Sequence, residues 1–254
     1  MILAIDIGNS NIVVGAIDQE KIHFVERFST DLRKTDLEYA ISLLTVLELH
    51  QISPENLRGS ILSSVVPPVA SVLNRAVQKI LGKPALVVGP GVKTGLQIRM
   101  DDPAKVGSDL IVDAVGGAAS YPLPLILIDM GTATTLSIVG EGPAYLGTII
   151  IPGAQISRDA LAQTTAQLPR ISFEAPERAI GTNTVDCIRS GIVLGSASML
   201  DGMIDRVEKE LGQEATVVAT GGLAASIIPH CRHRIILDDD LLLRGLFLIY
   251  QKSC

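Results

Sequence analysis

A strand–turn–strand pattern that occurs twice constrains this chain more than any other feature. Ile2-Leu3-Ala4-Ile5 runs into Asp6-Ile7-Gly8, then a small polar turn (Asn9, Ser10, Asn11), then Ile12-Val13-Val14. Leu125-Ile126-Leu127-Ile128 runs into Asp129-Met130-Gly131, then Thr132-Ala133-Thr134-Thr135, then Leu136. The two aspartates lie 123 positions apart, close to half of the 254 residues. Self-similarity at such a separation marks a duplicated unit. The expected architecture is α/β with two similar halves, 1–117 and 118–254. The seam falls near Ala118–Pro124, where Tyr121-Pro122-Leu123-Pro124 breaks any helix.

The segments between the echoes carry helix signals. Thr35 and Glu38 have the spacing of a capping box. Leu37, Ala40, Ile41, Leu44 and Leu47 follow at helical spacing and form the expected core face. A second helix is expected over 69–81, stopped by Gly82 with Pro84 beyond it. Residues 60–66 read as a buried strand ended by Pro67 and Pro68. Ser108 is placed to cap a helix through Val115, Ser157 another through Gln167, and Thr184 opens a long one to Leu211 with Gly212 as its stop. Gly191, Gly195 and Gly202 interrupt that long helix, each at a cost of ~1 kcal/mol against Ala. Such glycines are expected where another backbone approaches closely, in the core or across a dimer interface. With 3% aromatic residues and no Trp, the core must be aliphatic.

Charge and cysteine usage exclude several classes. The net charge is −6, with no basic tract, which argues against nucleic-acid binding. The amino terminus has no basic region ahead of its apolar run, and the runs at 125–128 and 148–151 are strand-sized, so no membrane association is expected. Cys187, Cys231 and Cys254 form no paired motif, and the four histidines share no ligand spacing. A reduced cytoplasm is expected, without disulfides or structural zinc.

Three clusters could carry chemistry. The turn Asp6–Asn11 gathers backbone N–H groups and amide and hydroxyl side chains in one spot, which suits polyphosphate oxygens. A carboxylate beside phosphates needs an intervening cation, so Asp6 implies Mg²⁺. An ordinary polar hairpin is the plain alternative. Asp129–Thr135 repeats the logic with hydroxyls, and the repetition favours one cleft gripping a phosphate chain from both sides. Gly107-Ser108-Asp109 sets a carboxylate in the first turn of a helix, where the dipole favours its ionised form and leaves it able to accept a proton. A plain helix-start acid is the alternative there. Thr220-Gly221-Gly222 and the segment from Gly147 to Pro152-Gly153 are weaker signals.

In order, these motifs resemble the type III pantothenate kinases of the acetate kinase/sugar kinase/Hsp70/actin superfamily. The resemblance also rests on Asp102-Pro103, Leu168-Pro169, and Ile180-Gly181 with Thr184 and Gly191, and it covers nearly the whole chain. It implies two ribonuclease-H-like halves, a duplicated actin-like ATPase fold, around a central nucleotide cleft. It also implies a homodimer built through helices of the C-terminal half, and ATP-dependent phosphorylation of pantothenate, the first step of coenzyme A synthesis. By matching positions, Asp6, Ile7, Gly8, Asn9, Ser10, Asn11, Ile12, Val13 and Thr132 would hold ATP, with Asp6 also a metal residue. Asp109 would be the general base. Met100, Gly107, Ser108, Asp109, Leu110 and Thr184 would line the pantothenate site, Thr184 reaching that of the other subunit. Asp129 would bind a monovalent cation, K⁺ or NH₄⁺. The family usually has Arg at the position of Leu110, Tyr at Met100, Gly at Thr148 and Thr at Ser10. Losing Arg removes the donor best suited to a carboxylate, so the alternative is a weak or silent nucleotide-binding homologue with altered acceptor specificity. Arg99 and Arg189 are the candidate replacement cations.

Overall fold

The computed structural model describes residues 1–254. The chain begins with three strands, β1 (Ile2–Ile7), β2 (Asn11–Ile17) and β3 (Ile22–Ser29). Helix α1 (Asp36–Leu49), β4 (Ser60–Ser64), α2 (Pro67–Leu81) and the short β5 (Leu86–Val87) follow. After β6 (Gln97–Ile98) and α3 (Ser108–Ser120) come β7 (Leu125–Met130), β8 (Ala133–Gly140) and β9 (Ala144–Pro152). The remainder is α4 (Ala154–Thr164), α5 (Thr184–Arg189), α6 (Gly195–Leu211), β10 (Thr216–Thr220), α7 (Ala224–Ile227), β11 (Ile235–Leu237) and α8 (Leu241–Ser253).

Two compact units form. The first holds Met1–Leu96, Asp101–Ala119 and Asp240–Cys254; the second holds Gln97–Met100 and Ser120–Asp239. The last helix therefore packs with the first unit, and four residues ahead of Asp101 join the second, an exchange no local signal announces.

In the first unit the sheet order is β3-β2-β1-β4-β5. Strands β1 and β2 are antiparallel, with Asp6 opposite Val13, and β1 and β4 are parallel, with Asp6 beside Ser63. The core on one face gathers Leu3, Ile5, Ile7, Ile12 and Val14 with α1 and α2. The other face carries Ile2, Ala4 and Ile61 under α3 and α8. Those two helices cross with their backbones in contact: a Cβ on Gly116 would strike the Leu241 carbonyl, and one on Gly245 the Val112 carbonyl. The capping box of α1 forms, since Thr35 N–H donates to Glu38 at 2.7 Å and Glu38 N–H to Thr35 Oγ1 at 3.4 Å. Its buried face differs from expectation. Tyr39, Ala40, Leu43 and Leu47 are buried, whereas Leu37, Ile41 and Leu44 are exposed. The aromatic Tyr39, fully buried, turns the helix, and its hydroxyl donates to the Asp31 carbonyl at 2.8 Å.

In the second unit the order is β11-β10-β7-β8-β9-β6. Its core is aliphatic, built from β7, β8 and β10 and the long helical run from Thr184 to Leu211. That run is 28 residues and apolar enough to cross a membrane by length and composition, yet it buries Ile188, Ile192, Val193, Leu200 and Ile204 in this core. A π-helical turn at Ser190–Leu194 joins α5 to α6, and Gly212 ends the helix in the left-handed region. The space beside Gly191 and Gly202 is open, so no backbone within the chain explains either glycine. Helix α4 starts at Ala154 after Gly153, not at Ser157, because the Gly153 carbonyl already accepts from Ser157 N–H at 2.9 Å. All three cysteines are free.

Candidate active site

The candidate residues of the first unit are Asp6 to Val13 and Gly107 to Leu110. Strand β1 is apolar throughout except for Asp6, which stands near its end with 8% exposure. Ser63 Oγ donates to Asp6 Oδ1 at 2.6 Å and so fixes the carboxylate from the neighbouring strand. The next residue, Ser64, is held by Ser108: its N–H donates to Ser108 Oγ at 2.9 Å, and that hydroxyl donates to the Ser64 carbonyl at 3.0 Å. Two successive serines at the end of β4 thus link Asp6 to the residue beside Asp109. The sequence signal for them was the pair of hydroxyls closing the apolar run Ile61-Leu62, which strand patterning alone passed over. Ser108 serves this strand–helix tie, while the Gly107 carbonyl accepts the first helical N–H, from Ile111, at 3.3 Å.

Asp109 Oδ1 accepts from Leu110 N–H at 2.8 Å. The carboxylate folds back over Gly107, where a Cβ would collide with Oδ1. Burial raises the Asp109 pKa above its ordinary value, outweighing the opposing backbone hydrogen bonds. Desolvation therefore opposes the charge-stabilising effect expected of the helix start. The result suits a general base, whose proton affinity should exceed that of a free carboxylate.

At the first turn Gly8 N–H is committed to the Asn11 carbonyl at 2.9 Å, so it is not a donor for ligand, contrary to the simple reading of the loop. Asn9, Ser10 and Asn11 are exposed. Ile7 and Ile12 are fully buried in the core, where they pair with each other across the hairpin, and the Ile7 carbonyl accepts from Val65 N–H at 3.1 Å. Thr30 braces the turn, donating from Oγ1 to the Gly8 carbonyl at 2.7 Å and from N–H to the Ser10 carbonyl at 3.0 Å. Nothing in the pattern around Thr30 marked it. Leu110 is 9% exposed, an aliphatic core residue where the resemblance expects a cation.

The second unit holds Met100, Asp129, Thr132 and Thr184. Asp129 lies one residue from the end of β7, opposite Thr135 on β8 and beside Thr220 on β10. Gly221, at φ +100°, lets the β10–α7 turn lie against Asp129; a Cβ there would stand 2.6 Å from Asp129 Oδ1 and from Met130 N. This backbone-on-carboxylate contact is what the Thr-Gly-Gly sequence provides. Thr132 is exposed at the turn, and Thr184 is exposed at the start of α5, whose cap is Asn183, accepting from Asp186 N–H at 3.0 Å. Of the two replacement cations, Arg189 is engaged by Glu174 at 2.6 Å and by Ser172. Arg99 is exposed and its guanidinium donates to Gln97 Oε1, at 3.0 and 3.2 Å.

A duplicated Asp-bearing hairpin, repeated on two sheets of one topology, defines the actin-like ATPase/sugar kinase fold. Solved structures agree: a Baf family protein from Campylobacter jejuni matches with a TM-score of 0.61 at 18% identity, 98% of each chain covered. A ROK family glucokinase from Streptomyces griseus matches with a TM-score of 0.51 at 14% identity, over 99% of this chain and 98% of that one. The family model for type III pantothenate kinase matches residues 2–206. Relatives named type III pantothenate kinase are 46% identical in Exiguobacterium sp., over 100% of this chain and 99% of that protein, and 41% identical in Bacillus cytotoxicus, over 100% and 97%. The chain belongs to the type III pantothenate kinase family, an ATP-using kinase family.

Proposed function

We propose that this chain transfers the γ-phosphoryl group of ATP to the primary hydroxyl of pantothenate, the step that opens coenzyme A synthesis, with Asp109 as general base. The membership of the chain in its family supports the reaction. The observation that carries the residue assignment is the serine pair of β4, which ties Asp6 and the Asp109 turn to one strand end. In this reading Asp6 and the turn through Val13, with Thr132, receive the nucleotide. The acceptor hydroxyl attacks the γ-phosphorus, its proton passes to the Asp109 carboxylate, the bond from γ-phosphorus to the β,γ-bridging oxygen breaks, and ADP leaves. Burial of Asp109 supports this role, since a desolvated carboxylate holds the proton it takes.

Asp6 fits Mg²⁺ because it is a single, well-fixed carboxylate, and Mg²⁺ prefers few protein ligands and keeps its waters. When bound, that ion neutralises charge gathering on the phosphate oxygens. Asp129 fits a monovalent cation, being the one carboxylate of a row otherwise made of hydroxyls. Thr184 at an exposed helix start, and the open glycines of the run that follows it, support a homodimer in which Thr184 meets the other subunit's pantothenate. Cytoplasmic residence, without nucleic-acid or membrane partners, belongs to the same reading.

The acceptor side has been rebuilt: Leu110 is buried, so Arg99 is the residue proposed to meet the pantothenate carboxylate. A coupled ADP-release assay tests the whole. Pantothenate-dependent turnover that disappears in Asp109→Asn supports the proposal, while turnover no higher than the variant's at millimolar pantothenate refutes it. Arg99→Ala should raise KM for pantothenate about tenfold, the loss of one charged hydrogen bond.

A further inference from the structure

The cross-strand row around Asp129 contains a group with no role in the folded chain. Thr135 stands directly opposite Asp129 on β8, and directly opposed residues of an antiparallel pair share a face of the sheet. Thr220 stands beside Asp129 on the other flank. Thr135 Oγ1 is sealed from solvent and has no hydrogen-bond partner. Buried hydroxyls are nearly always satisfied, so one left over beside a carboxylate calls for a ligand that completes it. The corresponding row of the first unit contrasts with it: Asp6 is flanked by Val13 and Ser63, and Ser63 donates to the carboxylate. The second aspartate therefore has a hydroxyl residue on both flanks, with Thr135 in the place where the first unit has a valine.

We infer that Thr135 Oγ1 is an oxygen ligand for a singly charged cation held at Asp129, and that it sets how tightly that cation binds. This deepens the proposed cation role of Asp129 and rests on it. The donor chemistry fits. One carboxylate and neutral hydroxyl oxygens balance a single positive charge. A hydroxyl oxygen offers its lone pairs to the ion and turns its proton away, so a threonine silent in hydrogen bonding is suited to this task.

The test is thermal melting of the full chain titrated with potassium chloride, total salt held constant with choline chloride, for wild type, Thr135→Val, Thr135→Ser and Asp129→Asn. Wild type should gain stability with potassium and Asp129→Asn should not. Thr135→Val should need about tenfold more potassium for the same gain, as losses of metal-site partners do, and Thr135→Ser should stay close to wild type. In choline alone Thr135→Val should melt at or above the wild-type temperature, because the hydroxyl it removes is unpaired. A Thr135→Val curve that superimposes on wild type overturns the Thr135 assignment and leaves the Asp129 site standing. A Thr135→Val protein that melts several degrees lower in choline also overturns it, by revealing a structural partner for the hydroxyl. A wild type indifferent to potassium over choline refutes the Asp129 reading and this inference together.

Discussion

The two units repeat one topology with different chemistry at the same place. Five strands of the first sheet run β3-β2-β1-β4-β5, and five of the second run β9-β8-β7-β10-β11, with β6 added at the edge. Each central strand ends near an aspartate. In the first unit that carboxylate is tied by a serine, and the same strand end is tied to the helix that carries Asp109. In the second a glycine turn lies against the carboxylate, and hydroxyls flank it. The turns differ too. Ile7 pairs with Ile12 in the first, Met130 with Thr134 in the second, one residue shorter. Thr135 is thus the counterpart of Val13, although simple alignment of the echo at 123 positions would match Val13 with Leu136. Duplication preserved the scaffold, and the divergence sits at the hairpin turns and beside the two aspartates.

Substituting Asp109, the proposed general base carried by the first unit, should have the largest effect. Asp109→Asn should lower kcat ~10²–10⁴-fold, with KM for ATP little changed, in the ADP-release assay. A loss in KM alone would mean that the residue binds and does not take the proton.

The glycines of the two turns come next. Gly221→Ala should destabilise the protein by ~2–4 kcal/mol in urea unfolding, since it adds backbone collision to a left-handed conformation. Gly8→Ala, whose Cβ would rest 3.1 Å from the Asn11 carbonyl at an ordinary φ, should cost ~1 kcal/mol or less. Equal costs would mean that the two turns are built alike after all.

Ser63→Ala should raise KM for ATP about tenfold by freeing Asp6, while Asp109-dependent chemistry on bound substrates persists. An unchanged KM would separate Ser63 from nucleotide binding.

The smallest effect is in stability against pH. Burial raises the Asp109 pKa in the folded state, so its protonated form favours folding. That contribution is fully present below the ordinary carboxylate range and is lost as pH rises through the raised value. Asp109→Asn should therefore melt higher than wild type at neutral pH, and the difference should vanish below about pH 3.5. A variant that melts lower at neutral pH would reverse the sign of the burial argument. The same titration should limit kcat/KM on its acid side.

Much of this is legible in the amino-acid sequence. The four-residue apolar runs into Asp6 and Asp129 gave both hairpins, because strand patterning and a glycine turn are local properties. The capping box at Thr35 and the stop at Gly212 were local as well. Helical spacing alone does not say which apolar stripe of α1 meets the sheet; buried Tyr39 decides it. Ser63 and Thr30 carry no local mark of a site residue, since each matters through a partner that the sheet or a loop brings to it.

By itself the sequence determined the duplicated α/β plan, the aliphatic core and the acidic turns, all of which follow from short-range pattern and residue chemistry. Only the tertiary structure decided that Asp109 is buried enough to bind its proton more tightly, that Ser63 and Ser108 hold two acids to one strand end, and that Thr135 faces Asp129 with an unsatisfied oxygen. The physical reason is that desolvation and cross-strand register depend on which distant segments pack together, and no local pattern encodes that.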